Sequence, residues 1–338
     1  MITKGFGDCD LVHQIIKDNA NKPTTEKFDT AVKNTEGTDP HLTSDYNRDG
    51  YNPDAQGWEG FCHLWSPAGL DPISAFVVSM DKIYANVPFG IGDLKELTTY
   101  NYPQPYTKFI GKRNNNPTEP EAEADVLDPV DLLATFQAYV GPGKPGVVLD
   151  IDPGPQVWNQ PFYSYSTETT ELTGDAANGG PRGTKAWTVK LGAQYASEGG
   201  YAYRGETYLR DLSWNMKVWV DARGNVKKAE WVKEGSDRIP DFAWVPVGKN
   251  TSPNFERLQK IAKEGVSVKD IESFCKGMQG LTADGLKNGD AKKLADLLNA
   301  ICPVLDQNKL SDYIGKTAAR LGVDGSALDS ALNPAPNS

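Results

Sequence analysis

The sequence predicts an α+β protein, in which an antiparallel sheet comes first and a C-terminal helical bundle follows. Segments 184–194 and 214–232 alternate apolar and polar residues, as strands do when one face of a sheet is buried. Turn residues at 221–225 divide the second segment into two strands. From about Asn254 onward apolar residues recur at helical spacing, for example over 294–301. This change of period separates the sheet from the helices.

The chain is predicted to have four parts, and its 338 residues are enough for more than one domain. These parts are an N-terminal segment (1–44), a core (45–250), the helical bundle (254–332) and a tail (333–338). The tail is expected to be loose, because it is rich in Pro, Asn and Ser and ends the chain.

Within the core, we expect a helix that begins at Cys62 and a short strand over 75–78. The apolar runs 132–140 and 146–151 flank the turn sequence Gly-Pro-Gly-Lys-Pro. This arrangement predicts a hairpin of two strands.

The composition excludes several classes of partner. A net charge of −10 argues against binding nucleic acid or an anionic membrane through bulk electrostatics. No apolar run approaches the roughly 20 residues of a membrane span. The first eight residues lack the apolar centre of a signal peptide, so we expect either no export by that route or a processed form with a new Met1.

The four cysteines are Cys9, Cys62, Cys275 and Cys302, and their spacing fits no zinc site. Cys275 and Cys302 lie on neighbouring predicted helices and could form a disulfide in a secreted protein. The alternative is that both are buried thiols in a helical core.

The most informative stretch runs from Gln56 to Trp65 and reads Q-G-W-E-G-F-C-H-L-W. A glutamine six residues before a cysteine, with glycines between them, is how papain-like thiol enzymes build their nucleophile. In such enzymes the glutamine side chain donates a hydrogen bond to the oxyanion. The cysteine begins a helix, where backbone N–H groups favour the thiolate.

A thiol nucleophile also needs a base, which in papain-like enzymes is a histidine later in the chain. The three histidines are His13, His41 and His63, and only His63, next to Cys62, follows it. In the predicted hairpin, Gln137 occupies the position of that histidine, and Asp150 occupies the position of the residue that orients it.

Two further blocks extend the similarity: C-H-x-W-x-P-A from Cys62 to Ala68, and V-W-N-Q-P at 157–161. Together they resemble the transglutaminase elicitor family of oomycetes and marine Vibrio bacteria, over roughly residues 45–165. The resemblance implies a papain-like core, with the Cys62 helix packed on an antiparallel sheet. It also implies a secreted, calcium-dependent enzyme that joins accessible Gln and Lys side chains of protein substrates through a Cys62 thioester.

Residue types at the predicted site leave a second function open. Gln137 cannot take up a proton near pH 7, so the chain could be a catalytically impaired member of the family that acts by binding. His41 could supply the base if the N-terminal segment folds towards Cys62, whereas His63 is a poor base because adjacent helix residues point in different directions. Cys62 could also be a buried thiol at a helix start.

The segment Asp45-Tyr46-Asn47-Arg48-Asp49-Gly50-Tyr51 matches the first half of an EF-hand calcium loop. Asp45, Asn47, Asp49 and the Tyr51 backbone would be the ligands. The twelfth position is Gln56, so the usual bidentate glutamate is missing unless Asp54 or Glu59 replaces it. The alternative is a polar turn that binds no metal.

Overall fold

The computed structural model describes residues 10–56, 59–114, 126–197, 208–287, 290–301 and 307–332. Within these residues the helices, numbered in chain order, are α1 (Asp10–Asn19), α2 (Thr24–Glu36), α3 (Leu42–Asp45), α4 (Cys62–Leu70), α5 (Pro72–Val77), α6 (Ile91–Asn101), α7 (Pro129–Tyr139), α8 (Pro253–Glu264), α9 (Val268–Gly280), α10 (Ala283–Lys287), α11 (Asp290–Ile301), α12 (Gln307–Leu321) and α13 (Gly325–Leu332). A π-helical turn, Tyr46–Gly50, follows α3, and a 3₁₀ turn covers Gly174–Ala177.

The strands, again in chain order and within the described residues, are β1 (Lys82–Tyr84), β2 (Val87–Phe89), β3 (Pro105–Gly111), β4 (Val147–Asp150), β5 (Asn159–Leu172), β6 (Lys185–Ser197), β7 (Tyr208–Val220), β8 (Val226–Val232), β9 (Phe242–Lys249) and β10 (Val266–Ser267). They form a three-stranded sheet in the order β10-β1-β2 and a seven-stranded sheet in the order β3-β9-β4-β5-β6-β7-β8. Neighbouring strands of both sheets are antiparallel.

The chain divides into two compact units that alternate along the sequence. The first contains residues 1–51, 76–97 and 256–338, and the second contains residues 52–75 and 98–255. Residues 76–97, which the sequence placed in the core region, therefore belong to the first unit.

The first unit consists of the three-stranded sheet and most of the helices, with Phe28, Ile83, Leu258 and Phe274 buried among them. The helices predicted from Asn254 onward are present. They share this unit with α1 and α2, so a separate C-terminal bundle is not confirmed. The predicted tail lies outside the described residues.

Cys275, on α9 of the first unit, is fully buried and disulfide-bonded. A buried free thiol is therefore excluded for this cysteine. The predicted pairing with Cys302 involves a residue outside the described part of the chain.

The second unit is built on the seven-stranded antiparallel sheet. The strands predicted over 184–194 and 214–232 are confirmed as β6, β7 and β8. Between β7 and β8, the Asp221 N–H donates to the Asn225 carbonyl at 2.9 Å and the Asp221 side chain accepts from the Asn225 N–H at 3.0 Å, which closes the predicted turn.

The hairpin predicted over 132–151 is wrong in its first half, because residues 129–139 form helix α7. Pro129 stands at the start of the helix, and Asp128 caps it by accepting from the Val130 N–H at 2.7 Å. Leu132 and Phe136, four residues apart, are both buried on one helix face. This four-residue spacing of buried side chains is that of a helix, although nearly every residue of the run is apolar.

The short strand predicted over 75–78 is also wrong, since Pro72–Val77 is helix α5. The Asp71 side chain accepts from the Ile73 N–H at 3.0 Å at its start, which is the usual signature of a capped helix. Pro72 adds the backbone angle that a first helical residue needs.

The two faces of the seven-stranded sheet carry different helices. One face packs against α7 around Phe162, Trp214 and Met216. Helix α4, which begins at Cys62 as predicted, lies on the opposite face over β4 and β5. Its Ser66 hydroxyl donates to the Asn159 carbonyl at 2.8 Å. Gly69 approaches the Pro161 ring so closely that an added Cβ would lie 3.3 Å from it, so α4 is held tightly at the start of β5.

Adjacent residues of α7 provide a test of its orientation. Phe136→Ala is expected to lower the free energy of unfolding by about 3–5 kcal/mol, because it leaves a cavity beside Phe162 and Trp214. Gln137→Ala, at an exposed position, is expected to change it by about 0.5 kcal/mol or less. Urea unfolding followed by tryptophan fluorescence measures both. Equal losses for the two variants would contradict the orientation of the helix.

Candidate active site

Cys62 is the first residue of α4 and is present as a half-buried thiol. The first N–H groups of a helix lie outside its internal hydrogen-bond ladder, so this end of α4 favours negative charge. The Cys62 sulfur lies 3.8 Å from the Val157 carbonyl oxygen and 3.5 Å from the Asn159 side-chain nitrogen. The thiol therefore meets a hydrogen-bond acceptor and a donor from the same short segment.

Asn159 begins β5 and is buried beside Cys62. The indole nitrogen of Trp244 on β9 donates to its Oδ1 at 3.0 Å. An indole N–H can only donate, so the amide oxygen must face Trp244 and the amide NH₂ group must face the sulfur. This contact fixes the orientation in which Asn159 donates to Cys62.

Asp150 ends β4, as predicted, and pairs across the strands with Asn159. The side chain is fully buried, and its Oδ1 accepts from the Trp158 N–H at 2.8 Å and the Asp152 N–H at 3.1 Å. Its Oδ2 has no hydrogen-bond partner among the described residues. Burial raises the pKa of Asp150 to about 8, against the lowering effect of the two backbone donors. This carboxyl is thus mostly neutral at pH 7.

A second buried carboxyl, Asp241, precedes β9 and adds to the rise in the pKa of Asp150. Its Oδ2 accepts from the Asn114 N–H at 2.7 Å, and its backbone carbonyl accepts from Lys112 at 3.3 Å. Burial raises its pKa to about 6, although hydrogen bonds from backbone N–H groups, that of Asn114 first, and the charge of Arg113 act in the opposite direction. Through these two hydrogen bonds, with Asn114 and Lys112, Asp241 fixes the position of the segment that follows β3.

The Cys62 side chain opens into a groove of about 530 Å³. The start of α4 and the residues just before it form one wall, and the strands β3 and β9 together with the start of β5 form most of the rest. The groove is lined by Glu59, Gly60, Cys62, His63, Gln104, Pro105, Thr107, Phe109, Arg113, Val157, Asn159, Phe242 and Trp244. The thiol is consequently accessible to a molecule that enters from solvent.

Gln137 does not occupy a position beside Cys62. It is exposed on α7, and its carbonyl oxygen accepts from the Lys144 ammonium at 2.5 Å. Because residues 129–139 are helical, the strand register that placed Gln137 in the base position does not exist. Gln137 is not among the residues that line the groove.

Gln56 is exposed and precedes α4, and its N–H donates to the Glu59 carboxylate at 2.9 Å while its carbonyl accepts from the Glu59 N–H at 2.9 Å. Gln56 belongs to the same unit as Cys62. The role of the Gln56 side chain at the oxyanion stays a prediction.

His63 is the histidine that lines the groove within the described part of the chain. Partial burial lowers the pKa of its imidazole, and a hydrogen bond with the Gly60 backbone opposes that shift. His13 and His41 belong to the first unit. The exposed His41 ring lies 3.6 Å from the Asp39 carboxylate. Neither lines the groove.

The segment predicted to bind calcium is helical, with Asp45 at the end of α3 and Asn47 and Asp49 in the π-helical turn that ends before Tyr51. The Arg48 guanidinium lies 3.0 Å from the Asp45 carboxylate and 2.6 Å from that of Asp49. Within the described residues, no group of three or more His, Cys, Asp or Glu side chains could hold a metal ion. These donors do not fit a calcium loop, in which alternate oxygens converge on the ion.

Two residues of the site, Asn159 and Trp244, were missed by reasoning from the sequence. Asn159 lies within the V-W-N-Q-P block, but its contact with the sulfur depends on the position of α4. Trp244 is 85 residues further along the chain, and it carries no local motif. The available signal was the nine-residue spacing between Asp150 and Asn159, which is short enough for the two ends of an antiparallel strand pair.

Comparisons with known proteins give one distant similarity. No protein-family model matches the sequence, and no curated protein matches it. Among solved structures, the crystal structure of the GP42 transglutaminase from Phytophthora sojae matches with a TM-score of 0.43 and 22% sequence identity. The match covers 66% of this chain and 63% of that one, so less than two thirds of that chain is spanned.

No helix in the described residues has the length and apolar character needed to cross a membrane.

The raised pKa of Asp150 predicts a pH-dependent stability. Between its usual pKa of 3.8 and its folded-state pKa of about 8, the folded protein holds a proton that the unfolded chain has lost. The contribution of this carboxyl to stability is therefore full below about pH 4 and falls as the pH rises towards 8. Asp150→Asn should flatten that dependence, by at most about 1.4 kcal/mol per pH unit.

Urea unfolding of both proteins at pH 5, 6, 7 and 8 measures this effect. The variant should gain stability relative to the native protein at each step. Asp131→Asn, at an exposed position on α7, serves as the control and should follow the native curve. Parallel curves for the native protein and Asp150→Asn would show that Asp150 is ionised in the folded state.

Proposed function

We propose that the protein is a thiol acyltransferase of the transglutaminase type, with Cys62 as its nucleophile and a protein glutamine as its acyl donor. One observation carries the proposal. The Cys62 thiol starts a helix, opens into a groove and lies 3.5 Å from an amide donor whose orientation Trp244 fixes. A buried structural thiol would require neither the groove nor the oriented donor.

In the first half-reaction, the Cys62 sulfur attacks the carbonyl carbon of a glutamine γ-carboxamide. The carbonyl π electrons move to oxygen and give a tetrahedral oxyanion. When this collapses, the carbon–nitrogen bond breaks, and nitrogen leaves as ammonia with the proton that the thiol gave up. The product of this step is a γ-glutamyl thioester on Cys62.

In the second half-reaction, an uncharged lysine amine attacks the thioester carbon. The carbon–sulfur bond breaks, the sulfur regains its proton from the attacking nitrogen, and an isopeptide bond joins the two side chains. With water in place of the amine, the same thioester would give deamidation, so the acceptor determines the product.

Asn159 would stabilise the thiolate form of Cys62 by donating from its side-chain nitrogen. The backbone N–H of Cys62 at the helix start, together with the Gln56 side chain, would hold the oxyanion. Donors placed at a developing charge are each worth a few kcal/mol of the barrier. These roles agree with the described position of Asn159 and with the place of Cys62 on α4.

The proton would be exchanged at Asp150, across the strands from Asn159. A group that accepts and returns a proton works best when its pKa lies near the working pH, and burial raises the pKa of Asp150 to about 8. Asp150 would thus take the part of the histidine whose position the sequence assigned to Gln137. A water molecule between Asp150 and the sulfur would complete the transfer.

A second candidate function is binding without catalysis. It is favoured by the full burial of Asp150, which is not among the residues that line the groove, and by the hydrogen bond that His63 makes with the Gly60 backbone. Within the described residues, His63 is the sole histidine in the groove. If this function is correct, Cys62→Ala should bind the partner as the native protein does.

Amine incorporation tests the proposal directly. The native protein, a glutamine-donor protein such as casein and a fluorescent primary amine should give labelled product. Cys62→Ala should abolish labelling, and Asn159→Ala should reduce its rate by about 10- to 100-fold because the thiolate loses a charge-assisted donor. Gln137→His should leave the rate unchanged, because residue 137 is exposed and outside the groove.

Labelling by Cys62→Ala, or none by the native protein, would reject the transferase. A gain of activity in Gln137→His alone would instead support the sequence-based assignment of residue 137 to the position of the catalytic base. Asp150→Asn separates the proton-exchange role from folding, since it should lower kcat and remove a change in rate near pH 8 while leaving KM for the amine unchanged.

Calcium has no part in this proposal, because Arg48 engages the carboxylates of Asp45 and Asp49. Labelling rates in chelator and in added calcium should therefore be equal. A rate that falls in chelator and is restored by calcium would require a metal site elsewhere in the chain, and an unchanged response in Asp49→Asn would show that Asp49 is not part of it.

A further inference from the structure

The floor of the Cys62 groove contains an exposed aromatic surface. On β3, the side chains of Pro105, Thr107 and Phe109 alternate along the strand and line the groove. The residues on either side of Phe109 face the other way: the Lys108 ammonium donates to the Tyr139 hydroxyl at 3.0 Å, and Ile110 packs against the core on the α7 side. The pleat of β3 thus places Phe109 on the same side of the sheet as Cys62.

Phe109 is 52% exposed, although it is a large apolar side chain in a concave site. Its ring stacks on Phe242 at a centroid distance of 4.8 Å and an angle of 23°. Phe242 and Trp244 beneath it are 4% and 5% exposed. One face of Phe109 is therefore supported by the sheet, and the remainder is open to solvent. Exposed aromatic surface in a groove is typical of a binding site for an apolar group.

The groove also has charges of opposite sign. Arg113 lines it just beyond β3, where its guanidinium donates to the Pro155 carbonyl at 3.4 Å. Glu59, in the segment that precedes α4, lines it and accepts from the Gln56 N–H. A ligand carboxylate near Arg113 would complement the positive charge of the guanidinium. The two opposite charges would therefore favour one orientation of a ligand bound in the groove.

β3 ends the seven-stranded sheet within the described residues, and its groove-facing side chains follow one another along the strand. An extended chain matches this surface, because its own side chains alternate with the same period. A folded helix would present side chains at a different spacing. The shape and the chemistry of the groove thus favour an extended peptide segment over a small polar molecule.

We propose that the acyl donor is an extended segment that presents its glutamine to Cys62, a bulky apolar side chain to Phe109 and Phe242, and a carboxylate to Arg113. This inference depends on the proposed transferase function for the glutamine, and it adds a specificity that the reaction itself does not require. Glutamines flanked by small or cationic residues are poor donors under this proposal.

A peptide panel tests the donor preference. Each peptide carries one glutamine between glycines and serines, with a single Phe at one of the three positions before or after it and with Asp or Lys at one end. Donor kcat/KM is measured with a fluorescent amine. At the best position, Phe should raise kcat/KM at least about tenfold over Gly, as expected for an apolar side chain in a hydrophobic subsite. Asp should be preferred to Lys at the end near Arg113.

Matched variants assign these preferences to the groove. Phe109→Ala should abolish the preference for Phe, whereas Tyr106→Ala, an exposed aromatic on the same strand that does not line the groove, should retain it. Arg113→Gln should abolish the preference for Asp, and Lys112→Gln should retain it. Activity that is equal for all peptides, or equal for Phe109→Ala and the native protein, would overturn the inference and leave the transferase in place.

Peptide binding to Cys62→Ala, measured by fluorescence anisotropy, separates the two proposals. The best Phe peptide should bind more tightly than the Gly peptide, and Phe109→Ala in the Cys62→Ala background should remove the difference. If the native protein incorporates no amine and its Cys62→Ala variant prefers the Phe peptide, the transferase is rejected and the groove is supported. If the native protein is active and its Cys62→Ala variant binds all peptides alike, the groove alone is rejected.

Discussion

The arrangement of the site depends on one property of the indole ring, which has a hydrogen to donate and no lone pair with which to accept. Trp244 therefore determines which end of the Asn159 amide faces the sulfur. The two residues belong to β9 and β5, on either side of β4, so the amide is oriented by the sheet and not by a flexible loop. Ser66 ties the helix to the same residue through the Asn159 carbonyl. A single asparagine thus connects the nucleophile, the helix that carries it and the sheet.

The pleat of the seven-stranded sheet determines which side chains of the second unit face α7 and which face α4. Residues whose side chains face α7 form a packed apolar core, and alternate residues on β4, β5 and β9 face α4. Asp150 is on the side that faces α4, on the strand next to that of Asn159. Its Oδ1 accepts hydrogen bonds from two backbone N–H groups. A carboxyl buried in this way keeps its proton to an unusually high pH, because ionisation would leave a charge in surroundings of low polarity. The sheet therefore controls both the position and the protonation of this group.

The sequence was sufficient for features determined by local pattern. The helix at Cys62 and the strands β6, β7 and β8 follow from a motif, from alternation and from turn residues. It was insufficient at 132–140, where apolar residues on nearly every position concealed the four-residue spacing of Leu132 and Phe136. The assignment of Gln137 to the site depended on that run being a strand. The role of Trp244 could not be predicted for a different reason, since its contact with Asn159 joins residues far apart in the chain.

The sulfur atoms of Cys62 and Cys275 place opposite demands on the surrounding solution. Cys275 is held in a disulfide, a bond that persists where reductants are scarce, whereas Cys62 is a thiol that opens into a groove. In such surroundings an accessible thiol exchanges with small disulfides such as oxidised glutathione and becomes capped. Strong reductants would release the cap but also act on the bond in the first unit. Because Cys62 opens into the groove and the Cys275 sulfur is fully buried, mild thiols should reach a cap on Cys62 more readily than the Cys275 sulfur.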